Sequence, residues 1–260
     1  LRNFFTFGVL AASLAACGTS PLGRQQFLLL PANQVDEMGV TAYAQMKEEN
    51  PLSSSEQQTA YVRCVATAIT STLDDSQQWE INLFQDDSAN AFALPGGKIG
   101  VNTGLLKVAN NQSQLATVIG HEIGHVQAQH SNERMSLQYA TQGGMQVLGA
   151  LAGADSAAKQ GVLAALGVGA QYGLTLPFSR KHEAEADIIG LQLMAQAGFD
   201  PRESVSLWQN MSAANGEEPP EFMSTHPSNS TRINGLEARI PEVMPPYNQA
   251  KAAGRNPQCG

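Results

Sequence analysis

The sequence has few basic residues, no internal repeats and no apolar run of bilayer length. Lys and Arg number 15 against 23 Asp and Glu, so the formal net charge is −8. Proteins that bind nucleic acid need a basic patch or stripe to meet the phosphate backbone. None is visible here, which argues against a nucleic-acid partner. The 260 residues are enough for one sizeable domain or two small ones.

The N-terminal segment has the pattern of a secretory signal. Arg2 is its only charged residue, and the apolar stretch from Phe4 to Ala16 is too short to cross a bilayer comfortably. Small residues lead into Cys17, and Leu14-Ala15-Ala16-Cys17 resembles the bacterial lipobox, in which the cysteine is lipidated after cleavage. An ordinary signal peptide that happens to precede a cysteine is the alternative.

This interpretation divides the chain into four parts. Residues 1–16 are a lipoprotein signal peptide, 17–31 a lipid-anchored linker, 32–240 the folded domain and 241–260 a C-terminal tail. Gly18 after the cysteine implies, for bacterial lipoproteins, an anchor on the periplasmic face of the outer membrane. We expect the linker either to dock on the domain or to lie near the membrane surface.

Two further cysteines, Cys64 and Cys259, form an even pair. In an oxidising compartment they can form a disulfide between the second predicted helix and the C-terminal tail. Two free thiols are the alternative, because spacing alone does not decide between them.

The most informative stretch is His121-Glu122-Ile123-Gly124-His125, inside a periodic run from Gln112 to His130 that predicts one long helix. Residues four apart lie on the same helix face, with Cβ atoms about 5–6 Å apart. Both imidazoles can therefore bind one metal ion. The pattern H-E-x-x-H on a helix is typical of zinc metallopeptidases, in which the Glu is the general base for an activated water. A chance match on an amphipathic helix is the alternative.

A catalytic zinc takes three protein ligands and keeps one position open. His130 is one residue out of step with the extended metzincin pattern, so the third ligand must come from elsewhere. Glu183 and Asp187 lie four apart on a helix predicted over 179–196. This spacing suits Glu183 as the ligand and Asp187 as the hydrogen-bond partner of a ligand imidazole. A pair of acidic residues on a helix surface is the alternative. We interpret His130 and His182 as surface residues.

A small sheet is predicted before the active-site helix, with strands over 79–84, 90–94 and 98–102. A Pro-Gly-Gly break after the second run suits a turn or the end of an edge strand. An edge strand beside a protease helix can hold a peptide by strand addition. The candidate substrate-binding residues are Asn90, Ala91, Phe92, Ala93, Pro95, Gly96 and Gly97. A plain hairpin turn is the alternative.

Apolar periodicity and end signals predict further helices over 32–49, 53–73, 103–109, 200–214 and 228–239. The active-site helix also carries small residues at intervals of four, namely Ala116, Gly120, Gly124 and Ala128. Glycine in a helix interior costs roughly 1 kcal/mol relative to alanine. We therefore expect another element to pack closely on this stripe. A general richness in Ala and Gly is the alternative.

The stretch from Met135 to Ser179 carries only two charged residues, Asp155 and Lys159. It predicts two helices that form a lid or wall over the active-site cleft. A hairpin that inserts into the membrane surface through residues 162–176 is the alternative, although strong interfacial helices usually carry Lys and Arg on their polar face.

Four blocks in order resemble the HtpX and CAAX-prenyl-protease family of zinc metallopeptidases. They are Asn90 to Gly97, His121 to His125, Glu183 to Asp187 with Gly190, and Thr225-His226-Pro227 with Arg232. The similarity is closest to bacterial envelope lipoproteins of the BepA and LoiP type. It implies an α+β, mainly α, zincin-like metallopeptidase domain with a small sheet whose edge strand faces the active-site cleft.

The resemblance also implies roles for single residues. One Zn²⁺ per chain would be bound by His121, His125 and Glu183. Glu122 would be the base, and Asp187 would orient a ligand. His226 would be either a fourth ligand that caps the zinc or an oxyanion stabiliser, and Arg232 would add positive charge toward the oxyanion.

The function implied is a zinc metalloendopeptidase of the bacterial envelope that hydrolyses misfolded or misassembled envelope proteins. One rival is a chaperone or assembly factor for outer-membrane proteins, with a zinc site that His226 holds shut. The other rival is a protease embedded in the bilayer through residues 162–176.

Overall fold

The computed structural model describes residues 17–73, 77–141, 166, 178–213, 221–226 and 230–260. The predicted signal peptide lies outside these ranges, as does most of the region predicted as a lid or a membrane hairpin. The described strands are β1 (Cys17–Thr19), β2 (Gln25–Phe27), β3 (Glu80–Phe84), β4 (Ala91–Leu94) and β5 (Lys98–Asn102). The described α-helices are α1 (Ala32–Glu49), α2 (Glu56–Thr70), α3 (Gln112–Gln127), α4 (His130–Thr141), α5 (Arg180–Gln196), α6 (Glu203–Ala213), α7 (Glu221–Thr225) and α8 (Ser230–Ala252). The fold is mainly helical α+β, as predicted.

The larger sheet has the strand order β3-β5-β4, so β4 is one of its edges. Strand β5 pairs in parallel with β3 and antiparallel with β4, where Phe92 lies opposite Gly100. Successive side chains of a strand point to opposite faces of the sheet, and in β4 both faces are buried. Ala91 and Ala93 join the main core with α2 and α3, whereas Phe92 packs with Tyr43 of α1. The three predicted strands are confirmed.

A tight turn of Pro95, Gly96 and Gly97 joins β4 to β5. Both glycines have positive φ, +80° and +72°, in a region that L side chains rarely adopt. The backbone N–H of Gly96 donates to the Asp36 carboxylate of α1 at 2.9 Å. The turn predicted after the edge strand is therefore confirmed, and it is anchored to the helix behind it.

The active-site helix α3 packs on α5 along the predicted stripe of small residues. A Cβ at Gly120 would lie 2.9 Å from the carbonyl oxygen of Gly190, and a Cβ at Gly124 would lie 2.9 Å from that of Ala186. At this separation the two backbones are in contact and no side chain fits between them. The small residues therefore set the distance and register at which α3 packs against α5.

The end of α3 differs from the prediction of one helix that reaches His130. The helix ends at Gln127, and Gln129 has a positive φ of 48° that turns the chain. A new helix, α4, then begins at His130. No Gly or Pro marks this break, so the end signals on which the prediction relied were missing.

The last helix is longer than predicted. Helix α8 continues to Ala252, so the interpretation of residues 241–260 as a tail with little pattern is wrong. Buried Val243 and Ala250 hold its second half against the rest of the protein. Their packing outweighs the lost backbone donors of three prolines within the helix, Pro241, Pro245 and Pro246.

Both chain ends of the described part are tied to the domain. Strands β1 and β2 form an antiparallel hairpin, and Leu29 N–H donates to the Ser136 hydroxyl of α4 at 2.8 Å. The segment that follows residue 17 thus docks on the domain, one of the two expected arrangements. At the other end a disulfide joins Cys64 of α2 to Cys259, with the Cα atoms 5.5 Å apart. No helix among the described residues has both the length and the apolar character needed to cross a bilayer.

Candidate metal centre

Four buried side chains converge at one point. His121 and His125 come from α3, Glu183 from the first turn of α5, and His226 from directly after α7. Their potential ligand atoms all lie within 4.8 Å of one another. His121 Nε2 is 3.1 Å from His125 Nε2 and 3.3 Å from His226 Nδ1. Glu183 Oε1 is 3.4 Å from His125 Nε2 and 3.1 Å from His226 Nδ1.

These separations fit a divalent metal ion. With metal–ligand bonds of about 2.0–2.1 Å, the edges of a tetrahedron are roughly 3.3 Å long. Four of the six edges between His121 Nε2, His125 Nε2, His226 Nδ1 and Glu183 Oε1 run from 3.1 to 3.4 Å. In addition, two imidazole nitrogens that face each other at 3.1 Å need a proton or a cation between their lone pairs. The cluster is therefore preorganised for a cation at its centre.

The helices explain why these side chains meet. His121 and His125 are one turn apart on α3, which begins where the Asn111 side chain accepts from the N–H groups of the first turn. Ser179 caps α5 in the same way, which places Glu183 in the favourable first turn. The contact of α3 with α5 at Gly190 then brings the carboxylate to the imidazoles.

Asp187 and Arg232 support the cluster from behind. Asp187 Oδ1 lies 3.0 Å from His121 Nδ1, as predicted for the partner of a ligand imidazole. Arg232 donates to both oxygens of Asp187, at 2.7 and 2.8 Å, and its NH1 lies 2.6 Å from Glu183 Oε2. Its guanidinium also covers the Trp208 ring at 4.1 Å. These contacts favour a positioning role for Arg232 over the oxyanion role that the resemblance implies.

Burial and carboxylate contacts act differently on the two α3 imidazoles. Burial lowers the pKa of His125 well below its ordinary value of 6.5, so its lone pair is available at neutral pH. Burial also acts to lower the pKa of His121. Hydrogen bonds to Asp187 and Glu183 outweigh that effect and raise the pKa of His121 to about 9. A metal ion that binds here must therefore displace a proton from His121.

Glu122 lies beside the cluster and not within it. Its Oε1 is 3.5 Å from His226 Nε2 and has no hydrogen-bond partner among the described residues. The backbone of Ala93, in edge strand β4, hydrogen-bonds the same carboxyl group. Burial raises the pKa of Glu122, which moves it toward the range in which a carboxylate is an effective general base.

Two aromatic rings hold His226 in the cluster. Its imidazole stacks on Phe222 at 4.6 Å and on Phe178 at 5.3 Å, and the backbone N–H of His226 donates to the Phe222 carbonyl oxygen at 2.9 Å. His226 thus provides the fourth corner beside His121, His125 and Glu183. Of the block predicted around His226, Thr225 and Arg232 lie within the described ranges and Pro227 lies outside them.

The interpretation of His130 and His182 as surface residues is wrong. Their exposed fractions are 0% and 6%, and the two rings stack at 4.4 Å. His130 Nε2 lies 3.1 Å from Glu185 Oε2, and His182 Nε2 lies 3.2 Å from Glu133 Oε2. Burial lowers the pKa of His130 to about 4. After the break at the end of α3, His130 begins α4 with its ring 4.9 Å from that of His125.

Sequence reasoning also missed the carboxylates Glu133 and Glu185 and their common partner Arg24. The one available signal was the position of Glu185 between Glu183 and Asp187, which the helix period assigns to another face. That face is buried too, with Glu185 5% exposed.

The H-E-x-x-H helix, the carboxylate from a second helix and the small sheet beside them define a metallopeptidase type of site. Comparison with known sequences agrees: the chain belongs to Peptidase family M48, whose profile matches residues 56–240. The matched range runs from the start of α2 into α8 and includes all four candidate ligands.

Similar proteins come from mitochondria and from bacteria. The mitochondrial metalloendopeptidase OMA1 of Schizosaccharomyces pombe is 39% identical over 213 residues, 80% of this chain and 61% of the relative. OMA1 of Saccharomyces cerevisiae is 33% identical over 193 residues, 70% of this chain and 53% of the relative. The beta-barrel assembly-enhancing protease of Escherichia coli is 28% identical over 249 residues, 92% of this chain and 51% of the relative. The chain spans about half the length of these relatives.

Proposed function

We propose that this chain is a zinc-dependent endopeptidase in which His121, His125 and Glu183 bind one zinc ion. The observation that carries the proposal is the set of buried ligand atoms at the spacing of a tetrahedron's corners. Two imidazoles and one carboxylate form a ligand set known from catalytic zinc sites. Membership of Peptidase family M48, and relatives named metalloendopeptidases, support the same reaction.

Glu122 is the proposed general base. When bound, zinc lowers the pKa of a water molecule and polarises the scissile carbonyl. Glu122 Oε1, which no described residue hydrogen-bonds, accepts the proton of the attacking water and delivers it to the leaving amine. The raised pKa of this carboxyl favours both proton transfers near neutral pH.

Edge strand β4 is the proposed substrate platform. It lies at the edge of the described sheet, and the backbone of Ala93 contacts the carboxyl group of Glu122. An extended peptide that pairs along Asn90 to Gly97 would bring its own backbone next to the base. The edge strand would then face the active-site cleft, as the resemblance implies.

A second candidate function follows from His226. Its imidazole takes the corner that an open catalytic site keeps for water or substrate. We propose that cleavage requires His226 to leave this corner. A chaperone or assembly factor for outer-membrane proteins, in which His226 never leaves, is the alternative that the same observation favours.

The proposed location is the periplasmic face of the bacterial outer membrane, through a lipid on Cys17, with misfolded or misassembled envelope proteins as substrates. The lipobox-like sequence supports the anchor, and the Cys64–Cys259 disulfide suits an oxidising compartment. Similarity to a beta-barrel assembly-enhancing protease supports the substrate class. Palmitate labelling that is lost in Cys17→Ala is the expected result. Equal labelling of both chains, or of neither, would contradict the anchor.

Removal of the metal is expected to abolish cleavage of an unfolded protein such as casein. Ortho-phenanthroline should stop the reaction, and zinc equimolar to the protein should restore it once the chelator has been removed. The non-chelating meta isomer should have no effect. Because His226 can hold the site shut, the assay is run with both the unmodified chain and His226→Ala. Cleavage that survives the chelator in either protein would rule out a metal-dependent reaction.

A further inference from the structure

A chain of buried hydrogen bonds runs from the N-terminal hairpin to the candidate ligand His125. His125 Nδ1 lies 2.9 Å from His130 Nδ1, and His130 Nε2 lies 3.1 Å from Glu185 Oε2. Arg24 donates from Nε to the same Glu185 oxygen at 2.7 Å, and the Ser20 hydroxyl donates to the other oxygen. His125, His130, Glu185 and Ser20 are all at least nine-tenths buried.

The hydrogen bonds from His125 to Glu185 allow one consistent arrangement of ring protons. With Nε2 of His125 directed into the cluster, the ring proton lies on Nδ1 and is donated to His130 Nδ1. His130 then carries its own proton on Nε2 and donates it to Glu185. Groups outside the cluster thus fix the orientation and tautomer of His125, as Asp187 does for His121.

Arg24 also holds a second carboxylate, which provides a natural control. Its NH1 and NH2 donate to the two oxygens of Glu133 at 2.8 and 2.7 Å. The other described hydrogen-bond partners of the Glu133 carboxylate are Gln26 and His182, and neither is a candidate ligand. Glu133 and Glu185 therefore share one arginine and similar burial, with exposed fractions of 7% and 5%. Among the described residues, Glu185 is the one of the two carboxylates that hydrogen-bonds His130, whereas Glu133 reaches His130 only through the stacked ring of His182.

We propose that His130 and Glu185 are positioning residues that hold His125 in its metal-binding orientation, and that Arg24 holds Glu185 in place. The inference rests on the proposed metal site. By this proposal, the hairpin of β1 and β2, which begins at the predicted lipidation site, helps to position a metal ligand.

The test compares Glu185→Ala with Glu133→Ala in the full chain. Competition with a fluorescent chelator measures the zinc dissociation constant, and thermal unfolding of the metal-free protein is recorded alongside. Glu185→Ala is expected to weaken zinc binding about 10- to 100-fold, whereas Glu133→Ala should change it by less than about threefold. Both should lower thermal stability, because each leaves Arg24 with one carboxylate fewer.

Two further variants separate orientation from folding. Glu185→Gln keeps an acceptor oxygen for His130 and should recover most of the affinity lost in Glu185→Ala. His130→Phe keeps the ring volume and the stacking on His182 but has neither nitrogen, so we expect it to lose as much zinc affinity as Glu185→Ala. The visible spectrum of the cobalt-substituted protein should change in His130→Phe and not in Glu133→Ala.

Equal losses of affinity in Glu185→Ala and Glu133→Ala would overturn the proposal, because affinity would then follow the stability of the hairpin. Unchanged affinity in His130→Phe would overturn it as well. If the unmodified chain bound no zinc, the proposed metal site itself would fail. If instead the unmodified chain bound zinc and all the variants bound it equally well, the metal site would stand and only the positioning roles would fail.

Discussion

Replacing Glu122 by glutamine is expected to lower the rate of peptide-bond cleavage by about 100- to 10,000-fold, the usual contribution of a general base. Glutamine has nearly the same size but cannot take a proton from water. The candidate metal ligands are untouched, so zinc content should stay at that of the unmodified chain. The measurement is kcat on an unfolded protein, with zinc content determined on the same preparation.

Glu237→Gln is the matched control for this variant, because Glu237 is exposed on α8. It should leave both the rate and the zinc content unchanged. Cleavage by Glu122→Gln at the unmodified rate would contradict the assignment of the base. The variant also separates the two candidate functions in cells: the protease loses its effect with cleavage, whereas a chaperone keeps it.

Gly190→Ala is expected to destabilise the protein by about 1–3 kcal/mol, the usual range for overpacking. The new Cβ would lie 2.6 Å from the backbone nitrogen of His121 and 2.8 Å from the carbonyl carbon of Gly120. Helix α5 must then move away from α3 and take Glu183 with it. Zinc binding should therefore weaken together with stability, as urea unfolding and a zinc titration would show.

Gly235→Ala on α8 makes the same change of residue where nothing lies within 4 Å of the new Cβ. It should be neutral, or stabilising by up to about 1 kcal/mol, because alanine favours a helix. Zinc affinity should stay at the unmodified value. Equal stability of the two variants would show that the backbones of α3 and α5 are not in contact at Gly190.

Local patterns in the sequence predicted that His121, His125 and Glu183 meet, whereas His226 was implied only by the family resemblance. The helix period puts His121 and His125 on one face, and the small residues of α3 indicate that another helix comes close. That helix is α5, which carries Glu183 and Asp187. The local patterns and the resemblance agreed on Glu183. The first strand followed from its alternation, and the other two followed from runs on either side of a Pro-Gly-Gly break.

The surroundings of the cluster could not be predicted in the same way. A non-glycine residue with positive φ, Gln129, ends α3 without a sequence signal and turns His130 inward. Arg24 lies 161 positions before Glu185 and 109 before Glu133, and no periodicity links residues so far apart. Tertiary packing likewise carries α8 through its prolines. Local patterns describe single elements, whereas these features arise between elements.

The central claim is that His121, His125 and Glu183 hold one zinc ion, and anomalous X-ray scattering at the zinc edge tests it most directly. In crystals grown with zinc, we predict one peak per chain, about 2.0–2.2 Å from Nε2 of both imidazoles and from a Glu183 oxygen. A peak elsewhere, or a Glu183 carboxylate remote from both rings, would contradict the account.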